Sequence, residues 1–111
     1  MNRDYKLYIQ DIIDSIILIQ KYLYKITESQ FKDDTKLQDA VIRRLEIIGE
    51  ATKKIPASVK NVNKEIPWNN ISHYRDFIIH SYFNASIHRV WEVASKELQE
   101  LKENLIRLKL L

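Results

Sequence analysis

Apolar residues return every three or four positions along most of this chain, the pattern of helices that each bury one face. The first run spans about Asp4 to Thr27, where Leu7 or Tyr8, Ile12, Ile16, Ile19 and Leu23 make one stripe. Ile9, Ile13, Ile17, Tyr22 and Tyr24 widen that stripe beyond what one packed neighbour would cover, which predicts a second contact surface such as a subunit interface. Thr27 to Thr35 is polar, and its consecutive aspartates, Asp33 and Asp34, suit a loop that ends in a helix N-cap. A second helix is then predicted to about Lys54, with Leu37, Val41, Leu45, Ile48 and Ala51 on one side. Lys53 and Lys54 fall in its last turn, where cations meet the negative end of the helix dipole. Gly49, the single glycine of the chain, lies inside this helix. It costs about 1 kcal/mol relative to Ala there, so close approach of another backbone is the expected compensation.

Pro56 ends the second helix, and the polar connection from Ile55 to Ile66 leaves room for one short turn around Ala57 to Val62. Pro67 sits where a third helix can begin, since its missing N–H would be unpaired in the first turn anyway; that helix is predicted to run to Tyr82. Phe83 to Ser86 reads as a turn with Ser86 as N-cap. The last helix, Ile87 to about Lys109, carries the cleanest period: Ile87, Val90, Trp91, Ala94, Leu98, Leu101, Leu105 and Leu108. Four helices with short connections predict an all-α fold, an antiparallel up-and-down four-helix bundle with a short connecting helix as a fifth element.

Composition narrows this picture. A chain of 111 residues holds one apolar core, so residues 1–111 are read as a single domain. One glycine and two prolines leave too little turn chemistry for many short strands. The absence of cysteine removes disulfides, thiolate catalysis and cysteine-based zinc sites, and fits a reducing cytoplasm. Gln10, Asp11, Asp14 and Gln20 interrupt the first apolar segment, which is therefore read as neither a signal peptide nor a membrane span. A net charge of +3 is compatible with contact to a polyanion without requiring one.

No Gly-rich phosphate loop, His-Glu-x-x-His helix or carboxylate cluster at metal-ligand spacing occurs, so neither metal nor cofactor is expected. His73, His80 and His88 would need an unseen interhelical geometry to form a zinc triad. Polar residues concentrate on the third helix, where Ile71, Tyr74 and Ile78 form the inward stripe and Asn69, His73, Asp76 and His80 line the opposite side. Asp76 and His80 are one turn apart, close enough for the carboxylate to hold an imidazole N–H. Arg75 lies five positions before His80, about 140° around an ideal helix at ~3.6 residues per turn. The two meet at one phosphate only if the arginine reaches across or a second subunit supplies one of them. An exposed face on which Arg, Asp and His are merely solvated is the plain alternative.

The stretch Arg75-x4-His80-x-Tyr82 resembles the R-x4-H-x-Y motif of HepT-like proteins of the HEPN superfamily. The surrounding segments are similar too: Val41 to Ala51 resembles the family's second-helix block, Ile66 to Ile71 its lead-in to the motif helix, and Tyr82-Phe83 with Val90 to Val93 its continuation. The similarity covers most of residues 37 to 105. Asp76 stands where Asn is frequent in the superfamily and adds negative charge beside the motif arginine.

The resemblance implies a HEPN-type bundle and a metal-independent endoribonuclease, the toxin of a toxin-antitoxin system, which cleaves tRNA or mRNA by attack of a 2′-hydroxyl on the adjacent phosphate. By the same resemblance, His80 carries the proton, Arg75 stabilises the charged phosphorane, Asp76 orients His80, and Tyr82 contacts phosphate or base. It also implies a homodimer with two motifs beside one cleft, and neutralisation by a minimal nucleotidyltransferase antitoxin that AMPylates Tyr82. Tyr82 packed as a helix-end aromatic is compatible with that role. A non-catalytic helical substrate-binding subunit of a nucleotidyltransferase is the competing reading, and a plain helical interaction protein a further one.

Overall fold

The computed structural model describes residues 4–74, 76 and 87–108. Among them all regular structure is helical: α1 (Tyr5–Tyr22), α2 (Glu28–Lys32), α3 (Thr35–Lys53), α4 (Ala57–Asn61), α5 (Trp68–Ser72), α6 (Ile87–Glu92), a π-helical turn (Val93–Glu97) and α7 (Leu98–Ile106). The last three run on as one helical rod. The all-α bundle expected from the periodicity is therefore present, with the short connecting helix realised as α4 and one short helix, α2, more than the spacing reveals. No described helix is long and apolar enough to cross a membrane.

The long helices form where the stripe and the caps agree. Asp4 accepts the Lys6 N–H at 3.0 Å and opens α1, while Asp34 accepts the Leu37 N–H at 3.0 Å and opens α3. α1 ends at Tyr22 rather than near Thr27, because Lys25 takes a left-handed backbone (φ 58°) and turns the chain aside. That conformation costs a non-glycine residue about 1–2 kcal/mol. It delivers Phe31 to the core, fully buried, with its ring centroid 5.4 Å from that of Trp91. The polar stretch expected to be a loop thus contains α2, held by a reciprocal cap in which Thr27 Oγ1 accepts from the Gln30 N–H (3.2 Å) and Gln30 Oε1 accepts from the Thr27 N–H (2.9 Å).

One core joins these elements: Ile12, Ile16 and Ile19 of α1, Val41, Leu45 and Ile48 of α3, and Val90, Val93, Leu98, Leu101 and Leu105 of the last rod. Gly49 is buried on the inner side of α3. The rod runs antiparallel to α1. Lys6 and Ile9 border Leu105 and Leu108 at one end, while further along Gln20 bonds Gln99 (2.5 Å) and Lys102 (2.9 Å). The π-turn explains why Val93 and Leu98, five positions apart, are both buried: the Leu98 N–H reaches back to the Val93 carbonyl, widening one turn so that both face the core. On α1, Ile9 belongs to the core, whereas Ile13, Ile17 and Tyr22 are half-buried; Tyr24, beyond its end, is exposed.

Candidate active site

α5 carries the chain into the motif segment, and a polar knot beneath it fixes its start. Asn63, fully buried, donates Nδ2 to the Val59 carbonyl (2.9 Å), and its own carbonyl accepts the Trp68 indole N–H (3.0 Å). α4 and the first residue of α5 are thereby tied to one side chain and its backbone. Ile71 and Tyr74 then face inward, while Asn69, His73 and Asp76 are exposed, as their spacing predicts. The helix expected from Pro67 to Tyr82 is interrupted at His73, and its stretch over 77–82 lies outside the described residues. α5 closes at Ser72, where His73 donates to the Asn69 carbonyl (3.1 Å), and the Asp76 N–H then reaches only three residues back to the His73 carbonyl (3.0 Å), a tighter turn.

Of the sequence-derived site, Asp76 is described: its carboxylate is exposed and has no side-chain partner among the described residues. Arg75, His80 and Tyr82, and the inward position of Ile78, lie outside the described residues. What the structure adds is the surroundings of Tyr74, the residue before the motif arginine in the chain. Tyr74 packs near the π-turn beside Arg89 and Glu97, which pair with each other at 2.5 Å. Burial pushes the Tyr74 phenol up to about 12, Glu97 adds to the rise, and Arg89 opposes it. The hydroxyl therefore stays protonated at neutral pH. Arg89 thus brings a guanidinium of the rod close enough to Tyr74 to act on its phenol. Its place in the chain, on the charged side of an amphipathic helix, gave no signal of that.

Two clefts flank α5. One, of about 450 Å³, lies between α4 and α5 and is lined by Lys60, Asn61, Lys64, Asn69 and Asn70 among others, with no carboxylate side chain among the described residues. The other, about 260 Å³, lies between α5 and the last rod and contains Glu65, Glu97 and Glu100 around Tyr74. The charge on the two sides of one short helix is thus opposite. His88, one of the three histidines of the chain, is held between Glu28 (2.6 Å) and Glu92 (3.3 Å), and this contact draws the Glu28 carboxyl below its ordinary range. Among the described residues no group of three or more His, Asp or Glu is arranged to hold a metal ion.

Comparison with known proteins places this geometry in context. The family model described as ribonuclease HepT-like matches residues 12–108. A protein of Thermococcus cleftensis named a probable ribonuclease HepT is 39% identical, covering 98% of this chain and 99% of its own. A Methanocaldococcus jannaschii protein, whose name joins a gamma-glutamylcyclotransferase to a proposed RNase, is 41% identical over 97% of this chain. The chain spans about half of that relative's length, 49%. A Caldanaerobacter subterraneus protein named as a proposed RNase is 33% identical, covering 88% of each chain. No solved structure matches the chain.

Proposed function

This chain belongs to the HepT-like ribonuclease family, and on that premise we propose that it is a metal-independent endoribonuclease acting as the toxin of a toxin-antitoxin pair. The observation that carries the reading is the motif Arg75-x4-His80-x-Tyr82 in a chain matched by the family model from residue 12 to residue 108. In the proposed reaction the RNA 2′-oxygen attacks the neighbouring phosphorus, the bond to the 5′-oxygen breaks, and a 2′,3′-cyclic phosphate and a 5′-hydroxyl result. His80 moves the proton, and Arg75 neutralises the extra charge on the pentacoordinate phosphate. A homodimer bringing two motifs to one cleft provides a second imidazole, so that one takes the 2′-proton while the other protonates the leaving oxygen. The half-buried Ile13 and Ile17 of α1 and the exposed Tyr24 just beyond its end support such a self-contact.

Tyr82 is the proposed site of AMP transfer by a minimal nucleotidyltransferase. The added phosphate and adenosine would occupy the anion site beside Arg75 and His80 and silence it. Asp76, exposed and without a side-chain partner among the described residues, is the residue proposed to orient His80. The same carboxylate favours the second reading, a non-catalytic subunit that holds substrate for a nucleotidyltransferase, because it sets negative charge beside the phosphate site.

Expression of wild type, Arg75→Ala and His80→Ala separates the two readings. Growth arrest and RNA cleavage by wild type, with activity in each variant reduced at least ~10²-fold while the fold is retained, supports the enzyme. A harmless wild type that cuts no RNA gives the chain to the binding-subunit reading.

A further inference from the structure

We infer that the cleft between α4 and α5 is a second RNA-binding site, which grips phosphates of the substrate strand away from the bond that is cut. This rests on the ribonuclease reading and extends it to a surface whose described lining lies on α4, α5 and the segment between them.

Lys60 and Lys64 bring two ammonium groups to a concave surface of about 450 Å³. Neither is engaged in an ion pair among the described residues, and no carboxylate lines the cleft to compete for them. Burial without a counter-charge lowers the Lys60 pKa. An anion docked beside it would reverse that shift. Asn61, Asn69 and Asn70 supply amide donors and acceptors, the groups that grip phosphate oxygens and the exposed edges of single-stranded bases.

The platform is rigid where rigidity matters. Lys64 follows Asn63, whose side chain is locked to Val59 and whose carbonyl holds Trp68, so its backbone is set before any ligand arrives. Direction comes from charge and from continuity. Across α5 the other cleft carries Glu65, Glu97 and Glu100 and repels a polyanion. Asn69, in the cationic cleft, is exposed, as are His73 and Asp76, which follow it in the chain toward the motif.

The test compares wild type with Lys60→Ala/Lys64→Ala, using a fluorescently labelled single-stranded RNA of roughly 20 nucleotides and one of roughly 4, in a His80→Ala background that leaves both intact. The double variant is expected to bind the long RNA at least fivefold more weakly at ~0.1 M salt and to flatten the dependence of log Kd on log salt by about 1.4, at ~0.7 per phosphate for a single strand. The short RNA should be held within about twofold of the control. Asn61→Asp, which adds a negative charge without truncating either lysine, should weaken the long RNA alone, and Lys60→Arg/Lys64→Arg should restore it.

Equal long-RNA affinity and salt slope in a folded double variant overturns the inference while leaving the ribonuclease reading intact. So does unchanged RNA binding combined with lost neutralisation by the antitoxin, which would assign the cleft to a protein partner. Failure of the otherwise wild-type chain to bind or cut any RNA overturns both readings together.

Discussion

Asn63 offers the sharpest test of how the fold supports the site. The side chain is fully buried, and its Nδ2 donates to the Val59 carbonyl at 2.9 Å. Asn63→Ala removes that donor and leaves the carbonyl of buried Val59 without its side-chain partner. An unsatisfied buried acceptor costs about 1–3 kcal/mol, and with the small void left by the amide a loss of about 2 kcal/mol is expected. At roughly 4 °C per kcal/mol for a chain of this size, the melting temperature should fall by about 8 °C. Trp68→Phe strips the indole N–H from the Asn63 carbonyl, a 3.0 Å bond, and should cost about 1–2 kcal/mol. Because both bonds belong to one network, the double variant should lose less than the two single losses together. Calorimetry of the four proteins reads this directly. A melting shift below about 2 °C for Asn63→Ala, or strict additivity, would refute the argument that this knot holds α4 to α5.

The Glu28 contact predicts a pH dependence. Its folded-state pKa is lowered below the ordinary 4.5, first by the hydrogen bond from His88, so its contribution is present above the unfolded value and disappears as the pH falls through the lowered one. Urea unfolding between about pH 3 and 6 should therefore show wild type and Glu28→Gln converging at the acid end, and a constant gap across that range would contradict it. Tyr74 behaves in the opposite sense: with its phenol pushed up to about 12, it favours the fold below the unfolded value near 10, and that contribution is lost as the pH rises toward 12. An ultraviolet titration should lose its most alkaline tyrosinate step in Tyr74→Phe; retention of that step would show that another of the six tyrosines gives rise to it.

The long helices were legible because each has many turns over which a stripe can repeat: Ile12, Ile16 and Ile19, or Leu98, Leu101 and Leu105, recur with the spacing that burial requires. α2 was not, since five residues hold too few positions to show a period. Its cap, Thr27 followed three residues later by Gln30, was nonetheless written in the chain. The π-turn hides for a different reason: the five-residue step from Val93 to Leu98 breaks the 3.6 period that reveals helices. Around the site, the opposite faces of Ile71 with Tyr74 and of His73 with Asp76 followed from spacing. The Asn63 knot, the Arg89 pair with Glu97 and the Lys60/Lys64 cleft did not, because their partners are set by how α4, α5 and the last rod pack.

The central claim is that a 2′-hydroxyl is the nucleophile and that Arg75 and His80 serve it without metal. The direct measurement takes an RNA that wild type cuts, replaces the nucleotide 5′ of the cut with its 2′-deoxy form, and analyses the ends produced in the presence of a chelator. The expected products are a 2′,3′-cyclic phosphate and a 5′-hydroxyl from the RNA, with no cut at the deoxy position. Continued cleavage there, or 5′-phosphate ends that appear only with a divalent metal, would contradict it.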